Sequence, residues 1–290
     1  MNGEPLFFER VGIVGVGLIG SSFALAMKER KCVKEVWGYS LTGRSAKKAL
    51  ELGIIDKQAD LLSQLAKNCN LILVSTPVLS IPEILKALSK DVDENVLVTD
   101  GGSVKNFVKE CSAFFKYNNF VGSHPIAGTE KSGPEAGFSS LFDGGMCIIT
   151  PLPTTSKKNT ELVKKVWEVL GMNVVAMTPE EHDLVMAEVS HMPHAVAFSL
   201  VSAVKDKSFQ GRRVTSFAGG GFRDFTRIAK SDVTMWADIF LSNKQNLLAS
   251  LEDFERELNL FRRALQNNDR VSLESFINNA RTVLLRNEKK

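Results

Sequence analysis

The chain has 290 residues, 44% of them hydrophobic and 24% charged, a globular composition that excludes a disordered or collagen-like chain. Lys and Arg number 36 against 33 Asp and Glu, a net charge of +3, and acids are interleaved with the bases, which argues against a nucleic-acid partner. The length is near the upper limit for one hydrophobic core, so two domains are expected.

In chain order, short β-rich runs alternate with helical patterns: a strand at 11–14, a helix at 21–30, a strand at 35–39 and a helix at 45–51. There follow a strand at 71–75, a helix at 82–88, a strand at 96–99, a helix at 103–115, strands at 120–122 and 146–150, a helix at 159–170 and a strand at 172–177. Such alternation predicts an α/β domain, a doubly wound and mostly parallel sheet covered on both faces, over residues 1–178. At Thr178-Pro179-Glu180-Glu181 a cap, a helix-opening proline and two acids start a helix. From there to residue 290 no strand is expected, and the second domain, 179–290, reads as all-helical. Apolar residues recur at helical spacing through Leu248, Leu251, Phe254, Leu258, Phe261 and Leu265. They suit either packing against a second copy of the chain or a core within one chain.

Four cysteines, Cys32, Cys69, Cys111 and Cys147, stand far apart without a CxxC pair, which points to a reducing compartment. The first ten residues lack a basic stretch followed by an apolar one, and apolar runs such as 71–74 and 195–204 are short for a bilayer. A cytoplasmic protein with no membrane partner is expected.

After the first strand stands Gly15-Val16-Gly17-Leu18-Ile19-Gly20, a G-x-G-x-x-G in the strand–loop–helix context that dinucleotide binding requires. Gly15 permits the tight turn, Gly17 lets backbone amides approach a pyrophosphate, and Gly20 lets the helix lie close to the strand. The acid that usually binds the ribose 2′-hydroxyl would fall at Ser40, with Thr42, Arg44, Lys47 and Lys48 after it. A hydroxyl and a cation suit a 2′-phosphate, so NADP is expected in preference to NAD. Ser75-Thr76-Pro77 leaves the third main strand where a cofactor ribose would lie.

Three further stretches are unusual for pure structure: Asp100-Gly101-Gly102-Ser103-Val104-Lys105, the 122–133 segment around His124, and the helical 190–194 and 219–229 segments. Of four histidines, His124 follows a strand in a glycine-flanked loop and is the best-placed base. His191 and His194, three apart, lack the partners of a metal site, so no metal is expected. Pro193 is expected to kink its helix.

Together VGIVGVGLIGSS, DGGSVK, GSHPIAGTEKSG, SHMPH and GFRDFTRIA resemble the prephenate dehydrogenase (TyrA, cyclohexadienyl dehydrogenase) family over essentially the whole chain. That resemblance implies a Rossmann domain joined to a helical dimerisation domain, and a homodimer. It implies that His124 is the catalytic histidine, that Ser103 contacts the same substrate hydroxyl, and that Arg227 binds a substrate carboxylate. Ser190 and His194 are then polar groups of the substrate pocket, with Thr129 and Glu130 at its mouth. Asp224 is implied to orient nearby cations, and Trp236 to form an aromatic wall supplied by a partner subunit. The implied reaction is oxidative decarboxylation of prephenate to 4-hydroxyphenylpyruvate, with hydride transfer to NAD(P)+, in tyrosine biosynthesis. Arogenate is the alternative substrate. A β-hydroxyacid dehydrogenase and a non-catalytic dinucleotide sensor are the wider alternatives.

Overall fold

The structure, a computed structural model, describes residues 6–129 and 131–287. In chain order, β1 (Phe8–Val14), α1 (Leu18–Glu29), β2 (Val33–Tyr39), α2 (Arg44–Glu51), β3 (Lys57–Gln58), α3 (Leu62–Asn68), β4 (Leu71–Val74) and α4 (Ile81–Leu88) come first. Then come β5 (Leu97–Asp100), α5 (Val108–Ser112), β6 (Phe120–Ile126), β7 (Met146–Thr150), α6 (Lys157–Val169) and β8 (Asn173–Ala176). The strands form one sheet in the order β3-β2-β1-β4-β5-β6-β7-β8. Every neighbouring pair is parallel except β6 with β7.

Strand alternation divides the core between the two faces. Leu71 and Leu73 of β4 join Phe23 and Met27 of α1 and Trp167 of α6 on one face. Ile72 and Val74 join Leu65 of α3, Leu85 of α4 and Val108 of α5 on the other. Both faces are therefore covered, as near-continuous apolar strands require. The strand order reverses between β1 and β4, so their carboxyl ends open the crevice where doubly wound sheets hold ligands.

Three local departures from the sequence reading bear on the site. The expected helix at 103–115 is helical only over α5, because the loop before it is held by side chains: Asp100 accepts the Gly102 amide and Asp183 the Lys105 amide. β6 runs on to Ile126, so His124 lies within a strand and not in a loop after it. Its pairing with β5 covers only Phe120 and Val121, whereas β7 pairs with it from Gly122 to Ile126. Pro125, which has no amide proton, is tolerated there because β6 has outrun β5 on one side.

Past Thr178 the chain is chiefly helical. The Thr178 hydroxyl accepts the Glu181 amide while the Glu181 carboxylate accepts the Thr178 amide, and Pro179 opens α7 (Pro179–Met186). The helix continues through one π turn, Ala187–His191, into α8 (Met192–Val204). Pro193 cannot donate to the preceding turn, and the π turn lies where that bond would be. The run from Pro179 to Val204 exceeds any apolar stretch legible in sequence and, by length and composition alone, could cross a membrane. Within this fold, however, His182 and Asp183 near its start are buried and bonded to groups of the sheet domain.

A two-stranded hairpin, β9 (Ser208–Phe209) and β10 (Arg212–Arg213), corrects the expectation of no strand in this half. Gln210 and Gly211 take left-handed backbone at its tip, a turn that Gln-Gly seldom announces. Then follow α9 (Gly220–Thr226), α10 (Val233–Ser242), α11 (Lys244–Gln266) and α12 (Arg270–Asn287). By contacts the chain divides after Asn243, so that α11 and α12 form a unit of their own in which Phe261 and Phe276 meet at 5.5 Å.

Candidate active site

The glycine loop sits at the crevice between β1 and β4. Gly15 has φ +90°, and a Cβ there would lie 2.7 Å from the Ser75 carbonyl oxygen, so only glycine fits. The Ser75 hydroxyl donates to the Gly15 carbonyl at 2.8 Å, and Thr76 packs against the same glycine, which ties the exit of β4 to the loop. By contrast, a Cβ on Gly17 would meet nothing within 4 Å, and the N-terminus of α1 carries neither a capping side chain nor an acid. The first turn of α1 thus has no capping side chain, and the open space at Gly17 fits a dinucleotide pyrophosphate.

At the end of β2 the Ser40 hydroxyl accepts the Ala46 amide at 3.1 Å, and Arg44 is exposed at the start of α2, whose first turn holds no acid. Pro77 leads from the β4 exit into a short 3-10 turn, where the Ser80 hydroxyl bonds Thr76 Oγ1 at 2.9 Å.

Gly101, just past β5, joins this crevice to the candidate base. A Cβ there would lie 3.5 Å from Ile19 of the dinucleotide loop and 3.8 Å from Pro125, the neighbour of His124. The carboxyl ends of β5 and β6 and the head of α1 therefore meet, with Ser103 half-buried on the turn that follows.

Behind His124 lies a hydrogen-bonded chain. His124 Nδ1 is 2.9 Å from His182 Nε2, and His182 Nδ1 is 2.8 Å from Asp183 Oδ1. The same carboxylate oxygen accepts the Lys105 amide at 2.7 Å. The Lys105 ammonium, fully buried, donates to Asp100 Oδ2, and Asp100 Oδ1 accepts the Ser123 amide at 3.1 Å. Burial holds the His124 pKa well below the usual 6.5, and positive charge at His182, Lys105 and His191 would push it further down. His182 is also lowered by burial, against the pull of Asp183. Both imidazoles are neutral at pH 7.

Ser190, His194 and Trp236 come together from the π turn, α8 and α10. His194 Nδ1 donates to the Ser190 carbonyl at 2.8 Å, which leaves its Nε2 as an acceptor. Burial lowers its pKa, and the Arg227 charge lowers it further. The indole of Trp236 in the same chain stacks on the His194 ring. Arg227 follows α9, at the start of a short 3-10 turn, and is exposed. Asp224 has no cation within 4 Å among the described residues. Thr129 is exposed and lines a cavity of about 380 Å³ with Lys131, Glu135, Ala136, Gly137 and Phe138. Glu130 lies outside the described residues.

His182, Asp183, Lys105, Asp100 and Asn243 went unassigned in the sequence. Asn243 bonds both the Asp183 carbonyl, at 2.6 Å, and His191 Nδ1, at 3.1 Å. The adjacent His-Asp pair at a helix start and the Lys that ends DGGSVK were the available signals.

The prephenate dehydrogenase nucleotide-binding domain matches residues 23–176, and the prephenate dehydrogenase dimerization domain matches 178–279. The chain is 36% identical to a prephenate dehydrogenase of Bacillus subtilis, over 93% of this chain and 73% of that one. It is 34% identical to a cyclohexadienyl dehydrogenase of Zymomonas mobilis, over 90% of each. Among solved structures, that of the A. aeolicus prephenate dehydrogenase with hydroxyphenyl propionate and NAD+ is similar at a TM-score of 0.91, with 40% identity and 98% and 99% coverage.

Proposed function

Because the chain belongs to the prephenate dehydrogenase family, we propose that the crevice at the carboxyl ends of β1, β4, β5 and β6 is its active site, with His124 as the base. The protein is an NAD(P)-dependent dehydrogenase that oxidises and decarboxylates prephenate to 4-hydroxyphenylpyruvate in tyrosine biosynthesis. The observation that carries the site is that Ile19 of the dinucleotide loop and Pro125, next to His124, both come close to Gly101.

When bound, the nicotinamide accepts a hydride from the hydroxyl-bearing ring carbon. The protein's work is to hold that carbon in line and to manage the hydroxyl proton. Neutral His124 takes the proton as positive charge develops at the hydroxyl, and a positioned base is worth roughly 10²–10⁴-fold. Carbon dioxide leaves with its bonding electrons passed into the ring, and His124 returns the proton to the phenolic oxygen, so no net proton is consumed. Ser103 holds the same oxygen. Arg227 pairs with a substrate carboxylate, for which its planar fork is suited. His194, Ser190 and Trp236 wall the ring, and Thr129 stands at the mouth.

NADP is the preferred cofactor, a reading supported by Ser40 in place of an acid and by the exposed Arg44. The A. aeolicus relative holds NAD+, so use of both is expected. Gly15, Gly17, Leu18, Ile19 and Gly20 cradle the pyrophosphate, and Ser75, Thr76 and Pro77 lie by a ribose. Residues 1–178 bind the dinucleotide and 179–290 supply substrate contacts and a homodimer interface. The exposure of Leu248, Leu258 and Leu265 on α11 supports that interface. A cytoplasmic location fits the four free thiols.

Arogenate is the second reading, favoured by similarity to a Synechocystis arogenate dehydrogenase structure at a TM-score of 0.79 and 28% identity. Steady-state turnover of prephenate and arogenate, each with NADP and with NAD, tests the assignment through reduced-nicotinamide absorbance. Higher kcat/KM for prephenate with NADP is expected. Preference for arogenate moves the substrate, preference for NAD moves the cofactor, and no turnover of either substrate ends the reading.

A further inference from the structure

A single acidic side chain touches both halves of the catalytic arrangement. Asp183 Oδ1 lies 2.8 Å from His182 Nδ1 and 2.7 Å from the Lys105 amide, two residues beyond Ser103. We propose that Asp183 is the positioning residue of this site: through His182 it fixes the proton of His124 on Nδ1, and through the Lys105 amide it holds the loop that carries Ser103.

The assignment follows from donors and acceptors. A carboxylate only accepts, so the ring nitrogen that faces Asp183, His182 Nδ1, carries its proton. A neutral imidazole has one N–H, so His182 Nε2 is bare and accepts. The nitrogen facing it, His124 Nδ1, must therefore donate. His124 Nε2 is left with the free lone pair, the atom a general base needs. The reverse tautomer would put a proton where one has to be received.

The surrounding charges favour this arrangement. The groups that face the two rings are Lys105 and Asp100 from the β5 exit, Asp183 on α7, and His191 in the π turn. The Lys105 charge is engaged by Asp100, and His191 offers its bare Nδ1 to Asn243. Asp183 is thus the carboxylate in direct contact with the imidazole pair. Its backbone carbonyl is gripped by Asn243, which fixes the turn of α7 on which it stands. Once His124 has taken the substrate proton, the resulting imidazolium donates from Nδ1 to His182, whose Nδ1–H remains on Asp183, so positive charge is stabilised along the chain without net transfer.

The catalytic consequence rests on His124 being the base, whereas the tautomers belong to the protein without substrate, so the two readings can fail separately. Histidine-ring ¹⁵N correlation spectra of the substrate-free enzyme, with the four histidines assigned by single substitution, read the tautomers directly. His124 and His182 are both expected as Nδ1–H forms. In Asp183→Asn the amide oxygen still accepts from the Lys105 amide and from His182 Nδ1 but carries no charge, so the imidazolium formed on His124 is less stabilised. The variant's kcat should fall by at least about tenfold, with substrate KM and cofactor Kd changed by less than about threefold. His182→Gln, which keeps an acceptor near His124, should retain more kcat than His182→Leu. An Nε2–H form of His124 in the unsubstituted enzyme overturns the proposal even if Asp183→Asn does not fold. Unaltered kcat in a folded Asp183→Asn, or equal loss in the two His182 variants, overturns it as well.

Discussion

His194 lies flat against Trp236, with ring centroids 3.6 Å apart and planes 21° from parallel. The indole is buried on α10 and also meets Phe240 at 5.3 Å, so its position is fixed by packing before any ligand arrives. Stacking of this kind is worth about 0.5–1.5 kcal/mol beyond area burial. Trp236→Ala should therefore raise substrate KM by about twofold to tenfold, while Trp236→Phe recovers most of the loss. Steady-state kinetics decide it. A KM unchanged in the alanine variant would remove the indole from the pocket wall.

His124→Asn should lower kcat by about 10²- to 10⁴-fold while the cofactor Kd, from titration of nucleotide binding, stays within about twofold. The pH profile carries a second signature. Protonation disables the base, so activity is lost as pH falls through the His124 pKa, which burial sets well below 6.5. The logarithm of kcat/KM should stay level from pH 7.5 to 6.5 and bend downward only below that. A bend at or above pH 6.5 would mean that the titrating group is not this imidazole in this environment.

Which parts of this site were legible in sequence depended on the range of the interactions that build them. The glycine loop is local: its spacing follows from one tight turn, where Gly15 has φ +90°, and one close helix, where a Cβ on Gly20 would lie 2.5 Å from the Gly15 carbonyl oxygen. His124 was legible as a residue at a strand end, although the strand proved longer, because its extension depends on pairing with β7, more than twenty residues on. The contact of His124 with His182 spans 58 residues, and that of Lys105 with Asp183 spans 78, so neither leaves a local pattern. Lys105 read as part of a motif and proved a fully buried cation, which only its distance to Asp100 explains. The hairpin at 208–213 hid for another reason: two-residue strands are too short to show an alternation.

Acid should weaken the fold through His191, which is buried and held at a pKa of about 4, chiefly by burial. A neutral ring suits its place, since Nδ1 accepts the Asn243 side-chain amide. The folded pKa lies below the unfolded value of about 6.5, so the unfolded chain binds the extra proton between these limits. Stability is therefore intact above pH 6.5 and falls as pH drops toward 4, by on the order of 3 kcal/mol from this group. Denaturant unfolding at pH 7.5 and pH 4.5 measures the drop. His191→Asn, which keeps an acceptor for Asn243, should show a drop smaller by roughly 2–3 kcal/mol. Equal drops in both proteins would place the acid sensitivity elsewhere.

Cofactor choice should turn on a single hydroxyl. Ser40 stands at the end of β2, where its oxygen already accepts the Ala46 amide, and Arg44 opens the helix beside it. An aspartate there can make the same capping bond, because a carboxylate accepts an N–H as readily as a hydroxyl does. Ser40→Asp is thus expected to fold normally while adding a negative charge that repels a 2′-phosphate and accepts from a free 2′-hydroxyl. Its kcat/KM for NADP should fall by more than about tenfold while that for NAD holds or rises, since a like charge at about 4 Å near a protein surface costs a few kcal/mol. Arg44→Gln should lower NADP turnover alone, and less so at high salt, where the unsubstituted enzyme has already lost part of the attraction. If both variants keep the original ratio of the two nucleotides, then the ribose edge is read by residues other than this pair.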